Sequence, residues 1–463
     1  KARSPLRLYV SMPSRGAIDG FDSPRLPVRV AIIGAGCIGK EHMRNISLMP
    51  EVAQVVALVD SNQSSLASCL ELLPSIKNVR TFESVGSFVR WVNAEDDMGD
   101  FDMGRRSQCD AVVIATPNYT HLNIMEEVVQ KTSLHVLVEK PLCTKVEDCR
   151  RVERLVEDDR ASDPRRVVWV GMEYKYMPSV ARLLQEVKQG SVGRVRMVSI
   201  REHRFPFLTK VGYWNRFNEL SGGTLVEKCC HFFDLMRQIL KSDPVRVMAS
   251  GGQDVEYQSE LYQRSGEEGE DQANIQQHVA CQQNEDEDGA GKIRLMRPDI
   301  IDNAYVIVEF KNGGRACLDL CMFAETSLYQ EEICVVGDRG KVEAFGSRHG
   351  EKEEQEDLSN FRIGLRPAKS EWNAAREVDA PSTKSLPPVQ QEHIGVTDSR
   401  LLEAGAHEGS TFHELRRFCE AIVGEESAME ELVRVEDGRW AVAMGVAAQK
   451  SIEMNGQPVE VEF

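Results

Sequence analysis

A single stretch near the start of the chain, VRVAIIGAGCIG at residues 28–39, constrains the fold most strongly. Its first residues form a short apolar run rich in β-branched side chains, which is typical of a buried parallel strand. Three glycines follow at G-x-G-x-x-G spacing, and the residues beyond them carry apolar side chains at helical intervals. A strand, a glycine turn and a helix in this order predict a dinucleotide site, with the pyrophosphate at the helix N-terminus.

The three glycines have separate predicted tasks. Gly34 allows the tight turn, Gly36 allows the pyrophosphate to approach the backbone, and Gly39 allows the helix to pack closely on the strand. Cys37 and Ile38 lie between the last two glycines, so we expect them in the same cofactor contact.

An acidic residue follows the next predicted strand. That strand covers residues 55–59, and Asp60 comes directly after it, about where a dinucleotide site has the carboxylate that binds a ribose 2′-hydroxyl. A carboxylate there would repel a 2′-phosphate, so the sequence predicts NAD rather than NADP. The alternative is a glycine turn in an α/β domain that binds no cofactor.

Strands and helices alternate from residue 28 to about residue 173, which predicts a doubly wound parallel sheet. Ligands of such sheets bind beyond the carboxyl ends of the strands. The segments TPNYTH and EKP each follow a predicted strand, so we expect both near the cofactor, through Thr116, Pro117, Asn118, His121, Glu139 and Lys140. Alternatively, Asn118 caps a helix and His121 is an ordinary surface histidine.

Lys140 is the residue of this group with the clearest chemical use. Pro141 disfavours helical geometry at Lys140 and removes a backbone donor. A lysine fixed at the end of a strand, beside a nicotinamide, can transfer a proton or polarise a substrate oxygen. The alternative is a solvated surface lysine.

Residues 174–463 have a different pattern. Pairs of alternating strands at 303–322 and 331–345 predict hairpins, and helices are expected at 411–423 and 435–455. The run of strands predicts one open, largely antiparallel sheet, whose exposed face can cover a substrate pocket or pair subunits. The expected parts of the chain are an N-terminal extension (1–27), a Rossmann-type cofactor domain (28–173) and a substrate and oligomerisation domain (174–463).

A helix expected to start at residues 221–224 carries Glu227 and His231 four residues apart, and therefore on one face. A carboxylate–imidazole pair can bind a metal or do acid–base work, but the motif lacks further zinc ligands, so metal is the weaker option. The alternative is a structural contact between Glu227 and His231 on the helix surface. Cys229 and Cys230 are expected in the middle of this helix.

The net charge of −17 is concentrated in one segment. Residues 254–288 contain eleven acidic residues and one basic residue, so the rest of the chain carries only −7. We interpret 254–298 as a disordered insertion and expect a second insertion at 347–407. A calcium site is the alternative for the acidic segment, but the D-x-D-x-D-G spacing is missing. The charge argues against a nucleic-acid partner, which needs basic surface.

No apolar run approaches the ~20 residues that a membrane-spanning helix needs, so we expect no membrane contact.

The twelve cysteines include no C-x-x-C pair, which favours reduced, buried thiols in a reducing compartment. In residues 1–27, four basic residues precede the first acid, Asp19, with Ser and Pro scattered between them: Lys1, Arg3, Arg7 and Arg15. This pattern is compatible with two expectations, the end of an organelle transit sequence and an ordinary disordered extension or tag remnant. The expected location is the cytoplasm or an organelle lumen.

Several motifs together resemble one family. They are GAGCIG at 34–39, ATPNYTH ending at His121, EKP at 139–141, GGTLVEKCCHFFD at 222–234 and DGRWAVAMGVAAQKSI near the end of the chain. They resemble the glucose–fructose oxidoreductase, inositol dehydrogenase and rhizopine-catabolism family, written Gfo/Idh/MocA. The resemblance covers nearly the whole chain apart from the N-terminal tail and the two insertions. It implies a Rossmann domain, a C-terminal α/β domain with an open sheet, and NAD(P)-dependent oxidation of a secondary alcohol on a sugar or cyclitol, or the reverse reduction.

The resemblance also implies a catalytic set. By motif, the set is Lys140, His231 and the residue four before that histidine, which is typically Asp in the family and is Glu227 here. We expect His231 to take the hydroxyl proton, Lys140 to stabilise the alkoxide and Glu227 to hold His231. The expected wall of the substrate pocket consists of Tyr174, Arg201, His203 and Trp214.

Two other functions are compatible with the sequence. Some members of the family resemble NAD-dependent glycosidases, in which transient oxidation enables elimination. The other is a non-catalytic scaffold or sensor subunit, favoured by Glu227 in place of Asp, the insertions and the transit-like N-terminus. Lys228 also departs from most members, which bears on substrate choice. The expected partner is a small polyol or sugar, and homo-oligomers are expected to form through the C-terminal sheet.

Overall fold

The computed structural model describes residues 26–72, 78–93, 108–265, 274–277, 295–346, 359–367, 387–405 and 407–462. The first part of the chain alternates between apolar strands and amphipathic helices. The strands are β1 (Val28–Ile33), β2 (Ala53–Val59), β3 (Arg80–Phe82), β4 (Ala111–Ile114), β5 (His135–Glu139) and β6 (Val168–Gly171). The helices between them are α1 (Cys37–Ser47), α2 (Gln63–Glu71), α3 (Val85–Asn93), α4 (His121–Lys131) and α5 (Val146–Ser162).

These six strands form one parallel sheet in the order β3-β2-β1-β4-β5-β6. All four residues of β4 and of β6 are buried, as expected for strands covered by helices on both faces. The prediction of a doubly wound parallel sheet is confirmed. The carboxyl ends of β1, β4, β5 and β6 meet at one edge, which is where the candidate site lies.

The second part of the chain begins with a turn at Glu173–Tyr176. Its strands are β7 (Val195–His203), β8 (Pro244–Gly252), β9 (Tyr262–Ser265), β10 (Asn274–Gln277), β11 (Leu295–Met296), β12 (Asn303–Phe310), β13 (Arg315–Cys321), β14 (Glu331–Gly337), β15 (Gly340–Phe345), β16 (Phe361–Leu365), β17 (Gln390–Glu392) and β18 (Val459–Glu460). Its helices are α6 (Pro178–Lys188), α7 (Asn218–Ser221), α8 (Thr224–Glu227), α9 (Cys230–Leu240), α10 (Ser399–Ala404), α11 (Ser410–Ile422), α12 (Glu426–Glu430) and α13 (Val435–Glu453).

Nine of these strands form a second sheet in the order β17-β16-β15-β14-β7-β13-β12-β8-β18. The β7–β13 pair is parallel and the other neighbours are antiparallel, so the predicted open, mostly antiparallel sheet is confirmed. Along β12, every second residue is buried, and the residues between them are at least partly exposed. Alternate side chains point to opposite faces of a strand, so one face of the sheet is packed and the other is open.

The long helix α13 connects the two sheets. It packs against β8, α9 and α5. A Cβ on Gly445 would lie 2.6 Å from the carbonyl oxygen of Leu225, so the helix approaches the α8 segment at backbone contact. Just before the helix, the Val433 carbonyl accepts a hydrogen bond from Val170 of β6 at 3.0 Å. These contacts hold the Lys140 side and the His231 side of the site together.

Both predicted insertions contain regular structure, which corrects the expectation of disorder in the first. Strands β9, β10 and β11 of the acidic segment form a small antiparallel sheet. In the second segment, β16 and β17 extend the large sheet. The rest of both segments, and residues 1–25, lie largely outside the described residues. The domain boundaries at 27/28 and 173/174 stay predictions.

The single helix that was predicted to carry both Glu227 and His231 is divided into two short helices, which corrects a second expectation. The chain forms α8, passes through a turn at Lys228 and Cys229, and continues as α9 from Cys230. Cys229 is thus the N-cap of α9, not a mid-helix residue. Glu227 is the last residue of α8, and His231 lies in the first turn of α9. Among the described residues, no helix is long and apolar enough to cross a membrane.

Candidate active site

The glycine turn after β1 has the geometry that a dinucleotide site requires. Gly34 has φ +100°, and a Cβ there would lie 2.5 Å from the Ala115 carbonyl oxygen. A Cβ on Gly39 would lie 1.8 Å from the Gly34 carbonyl oxygen. By contrast, a Cβ on Gly36 would meet nothing within 4 Å. Two glycines are therefore required by the protein itself, and the third leaves open space at the start of α1.

That open space suits an anion. Helix α1 begins at Cys37, which is exposed, and its first turn contains no acidic residue. The positive end of the helix dipole is therefore uncompensated within that turn. Ile38 is partly buried beside it. The residues present fit the pyrophosphate of a dinucleotide.

Asp60 ties the end of β2 to this turn. One carboxylate oxygen accepts a hydrogen bond from the Ala35 amide at 2.7 Å, and the other accepts one from the Asn62 amide at 2.8 Å. Each oxygen keeps a lone pair for a further donor. Asp60 thus supports the turn and can still accept a bond from a ribose hydroxyl.

The loop after β4 connects the two halves of the site. Asn118 donates from Nδ2 to Glu227 Oε2 at 2.6 Å and to the Ser221 carbonyl at 2.9 Å. Thr116 and Pro117 are partly exposed at the same strand end, where Thr120 donates to Thr116 Oγ1. Asn118 thus bridges to the α8 segment, and the residue before α4 that takes the N-cap position is Thr120.

His121 and Glu139 are committed to structural contacts. His121 is fully enclosed, and its two ring nitrogens lie 2.9 Å from the Pro141 carbonyl and 3.0 Å from the Thr116 carbonyl. The expectation of a cofactor contact and the alternative of a surface histidine are both wrong, because the ring is fully buried between these two carbonyl groups. Glu139 shares a hydrogen bond of 2.7 Å with buried His42 of α1, which ties α1 to β5.

Lys140 reaches the second half of the molecule. Its Nζ donates to the Glu227 carbonyl at 3.1 Å and lies 3.9 Å from Glu227 Oε1. Burial opposes its charge, but the Glu227 carboxylate and other nearby acids raise the pKa of Lys140 above its usual value. A second lysine, Lys210, donates to Glu227 Oε1 at 3.1 Å. Burial favours the neutral form of Glu227, yet the two ammonium groups lower its pKa, so the cluster is one anion with two cations.

His231 lies beyond this cluster, in the first turn of α9. Its ring stacks on Tyr174 with centroids 4.1 Å apart and an interplanar angle of 5°. Nε2 lies 3.6 Å from Glu173 Oε1, and Nδ1 is buried with no partner among the described residues. Burial, together with the charges of Lys140 and Lys228, lowers the pKa of His231 well below its usual value. The imidazole is therefore neutral and can accept a proton.

The expected Glu227–His231 pair is wrong. The Glu227 carboxylate contacts Asn118, Lys140 and Lys210, whereas the imidazole contacts Glu173. The Glu227 carboxylate is held instead by three groups from other segments, and Glu227 and His231 belong to two separate short helices, α8 and α9. Glu227 is nevertheless in the site, as the acid that holds the two lysines.

The four residues expected in the pocket wall separate into two groups. Tyr174 packs against His231, and Trp214 lies under the Lys210 ammonium, 4.6 Å from the ring centre. The pocket prediction is wrong for Arg201 and His203, because both side chains lie on the open face of β7. There Arg201 pairs with Glu332, and His203 pairs with Asp319. Glu202, between them, is the residue of this stretch that points inward.

Three residues of the site were missed from the sequence, namely Glu173, His407 and Lys210, and Lys228 was noted only for its bearing on substrate choice. Glu173 follows β6, so the rule that selected Lys140 would also have selected it. Lys228 contacts the Tyr174 hydroxyl and lies 3.0 Å from Glu202. His407 lies 3.5 Å from the same hydroxyl, although it belongs to a predicted insertion. Lys210 is in a loop, and no sequence pattern connects Lys210 or His407 to the site.

The first part of the chain has a glycine turn suited to a dinucleotide, and the second part, built on the nine-stranded sheet, supplies a buried histidine. This combination is typical of a nicotinamide-dependent oxidoreductase. Residues 28–162 match the model described as "Oxidoreductase family, NAD-binding Rossmann fold". Residues 185–461 match "Oxidoreductase family, C-terminal alpha/beta domain". The chain belongs to this family, Gfo/Idh/MocA.

Individual relatives are distant. The chain is 28% identical to an inositol 2-dehydrogenase of Rhizobium meliloti over 49% of this chain and 58% of that protein. It is 21% identical to a myo-inositol 2-dehydrogenase of Thermotoga maritima over 92% of this chain and 96% of that protein. Several curated relatives are matched over only about half of their length.

Solved structures show the same fold. The WlbA dehydrogenase of Bordetella pertussis, determined with NADH and UDP-GlcNAcA, aligns with a TM-score of 0.61 at 16% identity, over 96% of this chain and 99% of that chain. A levoglucosan dehydrogenase in complex with NADH aligns with a TM-score of 0.63 at 16% identity, over 94% and 99%. At these identities the likeness describes the fold alone.

Proposed function

We propose that this protein is an NAD-dependent oxidoreductase that moves a hydride between a nicotinamide and a secondary alcohol or ketone of a sugar or cyclitol. The observation that carries the proposal is the approach of Lys140, at the end of β5, to the α8–α9 segment that holds His231. It brings an ammonium group and a neutral imidazole to the strand edge where the glycine turn lies. The inositol dehydrogenases among the relatives support the substrate class.

The residues divide the proton chemistry between them. NAD, when bound, accepts or supplies the hydride, and the glycine turn, Asp60 and the β4 loop would hold it. His231 accepts the hydroxyl proton, since burial keeps its imidazole neutral. Lys140 stays charged and stabilises the alkoxide. Glu227 keeps Lys140 and Lys210 in place.

The substrate class is tested by a panel of sugars, cyclitols and their ketones with NAD or NADH, followed by NADH absorbance. Stoichiometric NADH with an alcohol supports the proposal. Released sugar without net NADH indicates the glycosidase. No turnover together with a stable hetero-complex indicates the scaffold or sensor subunit, which the presence of both Lys140 and His231 disfavours.

Replacing Asp60 by asparagine is expected to weaken the preference for NAD over NADP. The oxygen of the introduced carboxamide can still accept the Ala35 amide, but the charge that attracts ribose hydroxyls and repels a 2′-phosphate is lost. Losing a hydrogen bond to a charged group costs about 1.5–3 kcal/mol, or about 10- to 100-fold in NAD affinity. Titrations of the wild type and of Asp60→Asn with NAD and NADP measure the ratio. An unchanged ratio contradicts this role of Asp60.

The open face of the second sheet is the proposed surface for a homo-oligomer. Tyr305 and Ile307 of β12 lie on this face and are 67% and 46% exposed, and Met197 of β7, on the same face, is 58% exposed. Exposed apolar groups of this kind mark association surfaces. Tyr305→Asp with Ile307→Asp is expected to shift the sedimentation coefficient from oligomer to monomer. A wild-type monomer at all concentrations contradicts this expectation.

A further inference from the structure

We propose that Glu173, and not Glu227, is the carboxylate that orients His231 and balances its charge when it takes the substrate proton. This inference rests on the proposed function, because it assigns a partner to the proposed base. It makes Glu173 a positioning residue for the reaction.

The turn after β6 holds His231 from two sides. Glu173 and Tyr174 are adjacent in the turn Glu173–Tyr176. Tyr174 stacks on the imidazole plane at 4.1 Å, and Glu173 Oε1 lies 3.6 Å from Nε2. One short turn therefore fixes both the plane of the ring and the direction of one nitrogen, which is what a carboxylate does for a catalytic histidine.

Glu227 cannot replace Glu173 in this task. Its two oxygens are occupied by the Asn118 amide at 2.6 Å and by Lys210 at 3.1 Å, with Lys140 at 3.9 Å. Turning the carboxylate toward His231 would leave two largely buried ammonium groups without their anion. Uncompensated buried charge is costly, so this arrangement is stable.

The surroundings of Glu173 make its proton state variable. Its second oxygen, Oε2, is buried with no partner among the described residues. Burial, with the like charges of Glu139 and Glu41, raises the pKa of Glu173 to about 8, while Lys140 opposes the rise. The titratable groups that face it from the packed elements are Glu41 of α1, Glu139 of β5, Lys140 directly after β5, Cys230 and His231 of α9, and Glu414 of α11.

The proton state of Glu173 sets the tautomer of His231. Ionised Glu173, whose Oε1 lies 3.6 Å from Nε2, favours the tautomer that carries its proton on Nε2, which leaves the Nδ1 lone pair for the substrate proton. Protonated Glu173 donates to Nε2, so the imidazole proton moves to Nδ1 and the base is blocked. Alcohol oxidation therefore requires ionised Glu173, and its rate rises as the pH passes the pKa of about 8.

The test compares Glu173→Gln and Glu173→Asp with Glu157→Gln, a matched change at an exposed glutamate of α5. We expect Glu173→Gln to lower kcat by about 10²-fold, the lower end of what positioned proton transfer contributes, with KM nearly unchanged. It is also expected to abolish the rise of kcat with pH, which Glu173→Asp partly restores. Wild-type kcat and pH profile in Glu173→Gln overturn the proposal.

A second readout does not depend on turnover. Nitrogen-15 NMR of histidine-labelled protein without coenzyme reports which ring nitrogen of His231 carries the proton, and His231→Asn assigns the signal. We expect the tautomer to change with pH in the wild type and in Glu157→Gln, and not in Glu173→Gln. If this change is present but no substrate is oxidised, the pairing stands and the proposed function fails. If the tautomer is the same in wild type and Glu173→Gln, the pairing fails.

Discussion

Replacing His231 by asparagine is expected to lower kcat for alcohol oxidation by about 10²–10⁴-fold, the usual contribution of a positioned general base. The imidazole is buried and neutral, and its Nδ1 has no protein partner in the described part of the chain, so no other protein group engages that lone pair. Asparagine keeps a polar side chain there but has no basic nitrogen. The loss is measured as kcat at saturating NAD and substrate.

NAD affinity is expected to change little in the same variant. His231 contacts Tyr174 and Glu173, whereas the glycine turn is formed by α1, β1 and the end of β2. Titration of the purified variant with NAD separates the two effects, because a misfolded protein would lose both binding and turnover.

His203→Asn is the matched control. His203 was also expected in the pocket, but its imidazole hydrogen-bonds to Asp319 at 3.0 Å on the open face of the sheet. The kcat of the His203→Asn variant should therefore equal that of the wild type. Equal losses in the two variants, or full activity in His231→Asn, would contradict the assignment of His231 as the base.

His203 and Glu202 show how far the sequence could predict the site. The alternation along β7 correctly indicates a strand with two faces, but nothing in the local pattern says which face the helices cover. Packing of α9 on β7 decides this, and it turns Glu202 inward and Arg201 and His203 outward. A strand is therefore predictable from its own residues, whereas its inner face depends on elements far along the chain.

Glu227 shows a second limit. The residues after Gly222 favour one helix, and the four-residue spacing to His231 follows from that helix. Tertiary contacts interrupt it instead: Asn118 and the two lysines hold Glu227, while Lys228 is drawn to Glu202. The glycine turn needed no such information, because its constraints lie within residues 28–39 and the neighbouring strand.

Replacing Gly39 and Gly36 by alanine, one at a time, is expected to have opposite effects on stability. In Gly39→Ala the new Cβ would lie 1.8 Å from the Gly34 carbonyl oxygen, a backbone atom that can move only if α1 shifts away from β1. Overpacking typically costs about 1–3 kcal/mol, and a backbone clash belongs at or above the upper end. Denaturant unfolding should show a lower midpoint for Gly39→Ala.

Gly36→Ala separates cofactor binding from folding. Gly36 has φ −76°, which alanine adopts without strain, and its Cβ would meet no protein atom within 4 Å. Removing glycine at such a position stabilises the fold by about 0.4–1 kcal/mol through the unfolded state. The methyl group would stand where the pyrophosphate approaches the α1 amides, and losing one such charged hydrogen bond weakens NAD binding by about 10- to 100-fold. Because stability and affinity then change in opposite directions, wild-type NAD affinity in a stable Gly36→Ala protein would show that the dinucleotide does not bind at this turn.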